Sequence, residues 1–299
     1  MKRIGIDLGG TKIEGVVVDE ALNVEHKLRL PTPATDGYDA VVQQVGKVVT
    51  ELEAMHGAPC KVGIGTPGAI SQVTGLMKNS NSVALNGKPL KEDLERVLER
   101  PIRMANDANC FALSEAVDGA AKGHDVVFGI ILGTGVGGGL VINQKVRTGL
   151  HAIAGEWGHN VLRDSNVESY CGTFGCVEAY LCGRGMQLTY ERQGGSRETP
   201  VPVIVESWRA GDSIALATRD EFLDNFGKAL SVLVNIIDPD AFVLGGGLSN
   251  IEEIYELGPS QVEKYVFNDE FRTPILKNVF GDSSGVRGAA ALWSISELS

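Results

Sequence analysis

Residues 5–18 read GIDLGGTKIEGVVV, and residues 129–142 read GIILGTGVGGGLVI. Placed in register they share Gly5/Gly129, Ile6/Ile130, Leu8/Leu132, Gly9/Gly133, Gly15/Gly139 and Val17/Val141. Each copy is an apolar strand, a tight Gly/Thr turn and a second apolar strand. Short glycine-rich hairpins resemble one another by chance, so the echo alone has two explanations, coincidence or two similar domains in tandem.

The segments downstream of each hairpin favour duplication. After the first copy, NVEHKLRLP reads as a third strand. Residues 38–55 place Val41, Val45, Val48, Val49 and Leu52 on one helical face. KVGIGTPG is a buried strand ending in a Gly/Pro turn. Residues 90–98 are a charged helix, IRMAN is a short strand and DANCFALSEAVDGAA is a helix. After the second copy come an irregular Gly/Cys-rich region and helices over about 175–236. The strand DAFVLGGG, a helix, the strand TPILKNV and a last helix from about 285 complete the chain. Strands alternating with helices in both halves predict α/β architecture with mixed sheets. The chain crosses between halves near EAVDGAAKGHD, where polarity and glycine rise.

The 299 residues suffice for one large domain or two ordinary ones. Hydrophobic residues at 43% against 22% charged describe a folded soluble chain, not a disordered one. A net charge of −11 argues against a nucleic-acid surface and against anionic lipid, both of which want clustered Lys and Arg. No apolar run approaches the ~20 residues of a membrane helix, so neither nucleic acid nor membrane is an expected partner. The opening MKRIGIDLGG lacks the apolar core of a signal peptide and reads as a first strand. Five cysteines, an odd number, fit free thiols in a reducing cytoplasm.

Three glycine loops each come directly after an apolar strand. In the first, Gly9, Gly10, Thr11 and Lys12 offer backbone N–H groups, a hydroxyl and a cation, the parts of an anion cradle whose glycines permit φ > 0. Asp7 just ahead of it has the chemistry to hold Mg²⁺ through water. The second comprises Gly133, Thr134, Gly135, Val136 and Gly137, and the third Gly245, Gly246 and Gly247. A plain turn explains any one of them; three together fit a nucleotide's phosphates. Neither the GxxxxGK[ST] loop nor a GxGxxG heading a βαβ unit is present, which removes a dehydrogenase reading. In MANDANC, Asn106 and Asp107 lie between a strand and a helix. One reading makes one of them the helix N-cap. The other makes Asp107 a general base, kept ionised by the helix N-terminus, that takes a proton as a substrate hydroxyl attacks phosphorus. AGEWGHN adds Glu156 and His159, which with Asn81 and Glu178 are the groups that hydroxyl recognition needs.

IGIDLGGTK, GIGTPG, NDANCFALSEA, ILGTGVGGGL, AGEWGHN, CGTFGCVEAYLCGRG, DPDAFVLGGGLSN and GDSSGVRGAA occur in that order between residues 4 and 291. Together they resemble the ROK family of sugar kinases, most closely bacterial hexose kinases of the fructokinase/mannokinase type, with N-acetylglucosamine kinases next. The resemblance implies a two-domain actin/hexokinase-like fold, a duplicated ribonuclease H-like unit, with the active site in the interdomain cleft. It divides the chain into residues 1–118 plus about 287–299, and 119–286 with a Cys-rich loop at 159–182. It implies transfer of the ATP γ-phosphate to a sugar, Mg²⁺, and a cytoplasmic homodimer. By position, Asp107 is the base beside a sugar-binding Asn106; Glu156, His159 and Glu178 are sugar contacts, with Gly68 and Asn81 beside them; Gly245–Gly247 meet adenosine. The expected acceptor is the 6-hydroxyl of fructose, with mannose and glucose open. The alternatives are an N-acetylglucosamine or N-acetylmannosamine kinase and, from another class, a non-catalytic sugar sensor. Retention of Asp107 and both phosphate loops argues against the sensor. Repressors of the family carry a helix-turn-helix ahead of the first phosphate loop, for which a loop at residue 7 leaves no room.

The family also holds zinc with a His and three Cys, in a GH motif followed by CxCGxxGCxE. His159, Cys171 and Cys176 match, but Ser169 stands where the first Cys belongs. A serine hydroxyl does not ionise near neutral pH and is a poor zinc ligand. Three outcomes stay open: zinc on three residues plus water or Cys182, a loop held by packing and hydrogen bonds, or a Cys171–Cys176 disulfide, which a reducing cytoplasm disfavours. Cys60, Cys110 and Cys182 read as small core residues.

Overall fold

A computed structural model describes residues 2–169 and 171–298, with every side chain among them except that of Asp282. The expected domain ends at residues 1 and 299, and position 170 of the expected Cys-rich loop, lie outside the described residues. In chain order the elements are β1 (Arg3–Leu8), β2 (Lys12–Val18), β3 (Val24–Pro31), α1 (Tyr38–His56), β4 (Lys61–Thr66), β5 (Ala69–Ile70), β6 (Met77–Lys78), α2 (Leu90–Leu98), β7 (Ile102–Asn106) and α3 (Asp107–Val117). Next are β8 (Val126–Leu132), β9 (Val136–Ile142), β10 (Lys145–Val146), α4 (Val177–Leu181), α5 (Gly183–Arg192), α6 (Val201–Arg209) and α7 (Ser213–Ile237). The last are β11 (Ala241–Gly245), α8 (Glu253–Glu263), β12 (Ile275–Lys277) and α9 (Ser284–Ala291).

The chain forms two compact units. The first gathers residues up to Asp125, Gly139–Ala154 and the chain from Val279; the second is Val126–Gly138 with Gly155–Asn278. These differ from the expected intervals at residues 119–125, 139–154 and 279–286, all of which join the first unit; residues 139–154 lie with α3. Gly139 permits that approach, because a Cβ there would fall 2.6 Å from Ala108 O and 2.9 Å from Asn109 Cα.

In the first unit the sheet order is β3-β2-β1-β4-β7. β1 pairs antiparallel with β2 and parallel with β4, and β4 pairs parallel with β7. Strand alternation sends Ile4, Ile6, Leu8, Ile13 and Val17 to one face, where the α1 stripe Val41, Val45, Val48, Val49 and Leu52 covers them. Burying each such side chain contributes about 1.5–3 kcal/mol, as an upper bound. The opposite face carries Gly5 opposite Gly63. A Cβ at Gly5 would fall 1.9 Å from Val286 O, and one at Gly63 1.8 Å from Ala289 O, so α9 lies backbone against backbone on the sheet. α9 meets α3 as closely: a Cβ at Gly288 would fall 1.7 Å from Cys110 O.

The second sheet has the order β10-β9-β8-β11-β12, with β8, β11 and β12 parallel. Each strand occupies the place of its counterpart in the first sheet, so the hairpin echo is a true repeat of topology. Phe128, Phe226 and Phe242 are fully buried, and Phe128 meets Phe242 edge-on at 6.3 Å. The helices expected over about 175–236 are four. Gly194 (φ +106°) and Gly211 (φ +88°) break them, Pro200 starts α6, and Asp212 starts α7 by accepting from Ala215 N–H at 2.9 Å. The β5–β6 pair lies in a stretch where no periodicity marked a strand.

Candidate functional site

In the first unit, the parallel strands β1, β4 and β7 end on one edge, where open α/β sheets carry ligands. β1 delivers Asp7, β4 leads into Gly68, and β7 ends at Asn106 and passes directly into Asp107. Asn106 is the N-cap of α3. Its Oδ1 accepts from Ala108 N–H at 2.9 Å, and Asp107 Oδ1 accepts from the same group at 2.8 Å. The cap reading therefore holds for Asn106, and Asp107 is left exposed to water. Protein around Asp107 still pushes its carboxyl upward by desolvation, against the Ala108 N–H and Asn106, which favour the charge. Asp7 lies opposite Glu14 across the β1–β2 ladder. Burial first, then the charges of Asp107 and Glu14, bring its carboxyl up to about 6, with Lys12 working the other way. Glu14 is itself buried and clasped by Lys27, at 2.8 Å, and Arg29.

The first glycine loop is braced from β3. Gly9 N–H donates to Lys12 O at 3.0 Å, Thr32 N–H to Thr11 O at 3.0 Å, and the Thr32 hydroxyl to Gly9 O at 2.7 Å. Gly10 and Thr11 form the exposed tip. Neither Gly9 nor Gly10 adopts the positive φ expected of it; Gly9 is needed because a Cβ would fall 2.9 Å from Lys12 O. Gly68 does have positive φ, +97°, and a Cβ there would meet Lys78 O at 2.6 Å. Asn81 is exposed beside Ser80, which the Asn86 amide grips from both sides: Asn86 Oδ1 accepts from Ser80 N–H at 2.9 Å and its Nδ2 donates to Ser80 O at 2.8 Å.

In the second unit, Ile131 of β8 and Gly245 of β11 are register partners, so the loops at 133–137 and 245–247 leave the same end of the sheet. Gly246 (φ +79°) lies on β8, where a Cβ would fall 2.4 Å from Leu132 O. Thr134 is exposed. Glu178 is 4% exposed, and its Oε2 accepts from Val136 N–H at 2.9 Å. Gly135 makes room, since its Cβ would fall 2.6 Å from that oxygen. Burial raises the Glu178 carboxyl, with Val136 N–H and His159 opposing. Its Oε1 is buried without a hydrogen-bond partner, an arrangement that favours a ligand bearing a donor. Glu156 and His159 stand 3.7 Å apart on one turn. Trp157 between them pins that turn, donating from Nε1 to Gly137 O at 3.3 Å and meeting Phe128 edge-on at 6.2 Å. One unit thus brings Glu156, His159 and Glu178 to the loop 133–137, and the other brings Asp7, Lys12 and Asp107 together.

A model of the ROK family matches residues 3–295. The chain belongs to the ROK family. Curated relatives include the N-acetyl-D-glucosamine kinases of Pectobacterium atrosepticum, 42% identical over 96% of this chain and 97% of that protein, and of Vibrio atlanticus, 39% identical over 96% and 98%. Among solved structures, the ROK hexokinase of Thermus thermophilus superposes with a TM-score of 0.86 at 31% identity, covering 98% of this chain and 97% of that one. A ROK glucokinase from Streptomyces griseus, in complex with glucose and AMPPNP, gives 0.78 at 29% identity over 98% and 99%. The fold is accordingly the two-domain actin/hexokinase-like fold expected.

The zinc set of other ROK proteins does not fit this chain. His159 and Cys171 come within hydrogen-bonding reach, but among the described residues no three His, Cys, Asp or Glu side chains stand close enough to hold an ion. Ser169 Oγ instead lies 2.8 Å from Cys171 Sγ. Burial works to raise the Cys171 thiol, but hydrogen bonds from Ser169, Thr173 and His159 outweigh it and bring it down to about 6. The loop is closed by its own backbone: Leu162 and Arg163 N–H donate to Gly175 O, Gly175 N–H to Val167 O and Val177 N–H to Asn160 O. Cys182 is buried as expected, and it also caps α5, its Sγ accepting from Gly185 N–H at 3.3 Å. Two supporting residues had gone unread. Trp157 carried a signal, an aromatic side chain in a glycine-flanked loop; Asn86 carried none, because its partner is defined only by the folded turn.

Proposed function

We propose that this ROK protein is an ATP-dependent sugar kinase whose acceptor is N-acetylglucosamine. The observation that carries the reading is identity of 42%, over nearly the full length of both chains, with an N-acetyl-D-glucosamine kinase. The fructose expectation finds no support in these relatives, whereas its acetamido-sugar alternative does.

Each group has its part in the chemistry. Asp107, whose carboxylate form the Ala108 N–H favours, accepts the proton of the attacking sugar hydroxyl. Asn106 fixes the helix start from which that carboxylate projects. Glu178 offers an unpartnered oxygen to a sugar hydroxyl, and Glu156 and His159 offer further acceptors and donors from the turn that Trp157 holds. The backbone N–H groups of the loops at 9–12 and 133–137 meet phosphate oxygens. A hard carboxylate crowded by two other acids suits a divalent cation, so Asp7 is the residue to hold Mg²⁺, which when bound offsets phosphate charge.

ADP release with Mg-ATP against N-acetylglucosamine, N-acetylmannosamine, fructose, mannose, glucose and no sugar tests the reading. A kcat/KM for N-acetylglucosamine exceeding the others by about tenfold or more is the expected result. A preference for fructose would restore the hexokinase reading. Sugar binding without turnover would replace catalysis by sensing.

A further inference from the structure

Glu115 lies two turns beyond Asp107 on α3 and is wholly shielded from water. A buried carboxylate is costly unless its oxygens are satisfied. Here the partners are N–H and O–H donors. Oε2 accepts from Ala120 N–H at 3.0 Å and Val279 N–H at 3.2 Å; Oε1 accepts from Phe280 N–H at 3.4 Å and the Ser284 hydroxyl at 2.7 Å. Gly119 completes the niche, since a Cβ there would fall 2.2 Å from Oε2.

Three of these four donors belong to the segment that enters α9. The residue at the N-cap of α9, Ser283, makes no side-chain cap bond. Glu115 therefore ties the segment that leads into α9 to α3, accepting from two backbone N–H groups ahead of α9 and from the hydroxyl of its first residue. The position of α9 along its axis matters, because its first turn comes up to Asp7: a Cβ at Gly285 would stand 3.9 Å from Asp7 Cγ. The glycines at positions 5, 63 and 288 bring α9 close to the sheet and to α3. Three hydrogen bonds to Glu115 at its start help to fix that position, beside Arg287, which donates to Leu22 O at 2.6 Å and to Asp118 at 2.7 Å.

We propose that Glu115 is a positioning residue for nucleotide use: by tying the start of α9 to α3 it holds the first turn of that helix against Asp7, and so fixes the carboxylate that faces the metal-bound nucleotide. The inference rests on the kinase reading. Glu115→Gln keeps the size but turns an NH₂ donor toward groups that are themselves donors. Ser284→Ala removes one of the four bonds and remains available if Glu115→Gln is too unstable to purify.

Calorimetry on the full chain measures Kd for Mg-AMPPNP and for N-acetylglucosamine, alongside Tm and sugar-dependent ADP release. The expected result is Mg-AMPPNP binding weakened about tenfold in Glu115→Gln and roughly twofold in Ser284→Ala, with sugar binding within about twofold of the parent. A purely structural residue would lower Tm and leave both affinities unchanged, and that result overturns the proposal. Equal loss of both ligands also overturns it, as general loosening. No sugar-dependent ADP release from the parent would instead remove the kinase reading on which the inference stands.

Discussion

Burial and the neighbouring charges of Asp107 and Glu14 bring the Asp7 carboxyl up to about 6, against an ordinary value of 3.8. The folded chain holds that proton more tightly than the unfolded one, so the stabilising effect is fully present below about pH 4 and is lost as pH rises through about 6. Asp7→Asn is therefore expected to raise stability by about 1–2 kcal/mol at pH 8, allowing for partial exposure, and to change little at pH 4. Thermal melts at the two pH values check this, and a pH-independent difference would refute it. The same substitution should weaken Mg-nucleotide binding, which makes Asp7 a site where function costs stability. Asp107→Asn should lower kcat by about 10²–10⁴-fold while the sugar Kd holds within a few-fold; near-parental turnover would remove Asp107 from its role. Both acids were legible in the sequence because each stands at the junction of an apolar strand with a turn or helix start. Their supports were not. Glu14 looks like an ordinary strand residue until Lys27 and Arg29 close over it, and Glu115 like one more exposed helix acid.

Among the elements, α6 and α8 are tied by one carboxylate. Glu253 accepts from Arg209 Nε at 2.8 Å, Arg209 Nη2 at 2.9 Å and Trp208 Nε1 at 3.0 Å. The Arg209 bonds come first and outweigh burial, with Trp208 assisting, and hold its carboxyl down to about 2. A depressed carboxyl contributes stability above its unfolded value of 4.5 and loses it as pH falls toward 2. Glu253→Gln should thus cost about 1 kcal/mol at pH 7, reduced from the ideal because Arg209 is half exposed, and the gap to the parent should close on acidification. Urea unfolding across that range measures it. Gly5→Ala is a harsher test, since no rotamer change relieves a contact of 1.9 Å with Val286 O. A loss of about 3 kcal/mol or more, or failure to fold, is expected. The α1 stripe was readable because its apolar spacing is local. The need for Gly5 was not, because the backbone that meets it comes from near the other end of the chain.

For the molecule as a whole, the duplication was legible from the two hairpins together with the strand-helix order after each, and each hairpin occupies the same two places in a five-stranded sheet. The acceptor sugar was not legible, since carboxylates and an imidazole such as Glu156, Glu178 and His159 suit hydroxyls in general and do not tell one sugar from another. Zinc was one outcome open to Cys171 and Cys176, and it turned on position 169, where a hydroxyl stands 2.8 Å from the Cys171 thiol in place of a further thiolate. The arrangement of α9 also sets a schedule for synthesis. The strands β1 and β2 are translated first, yet Val16, Val18 and Leu22 share their cluster with Val286 and Ala290, beside Val117 and Ala291. Until those late residues emerge, the nascent first unit presents a bare apolar face, an invitation to chaperones or to aggregation. A chain shortened before α9 should accumulate as insoluble protein, however complete its glycine loops and its helix-start aspartate.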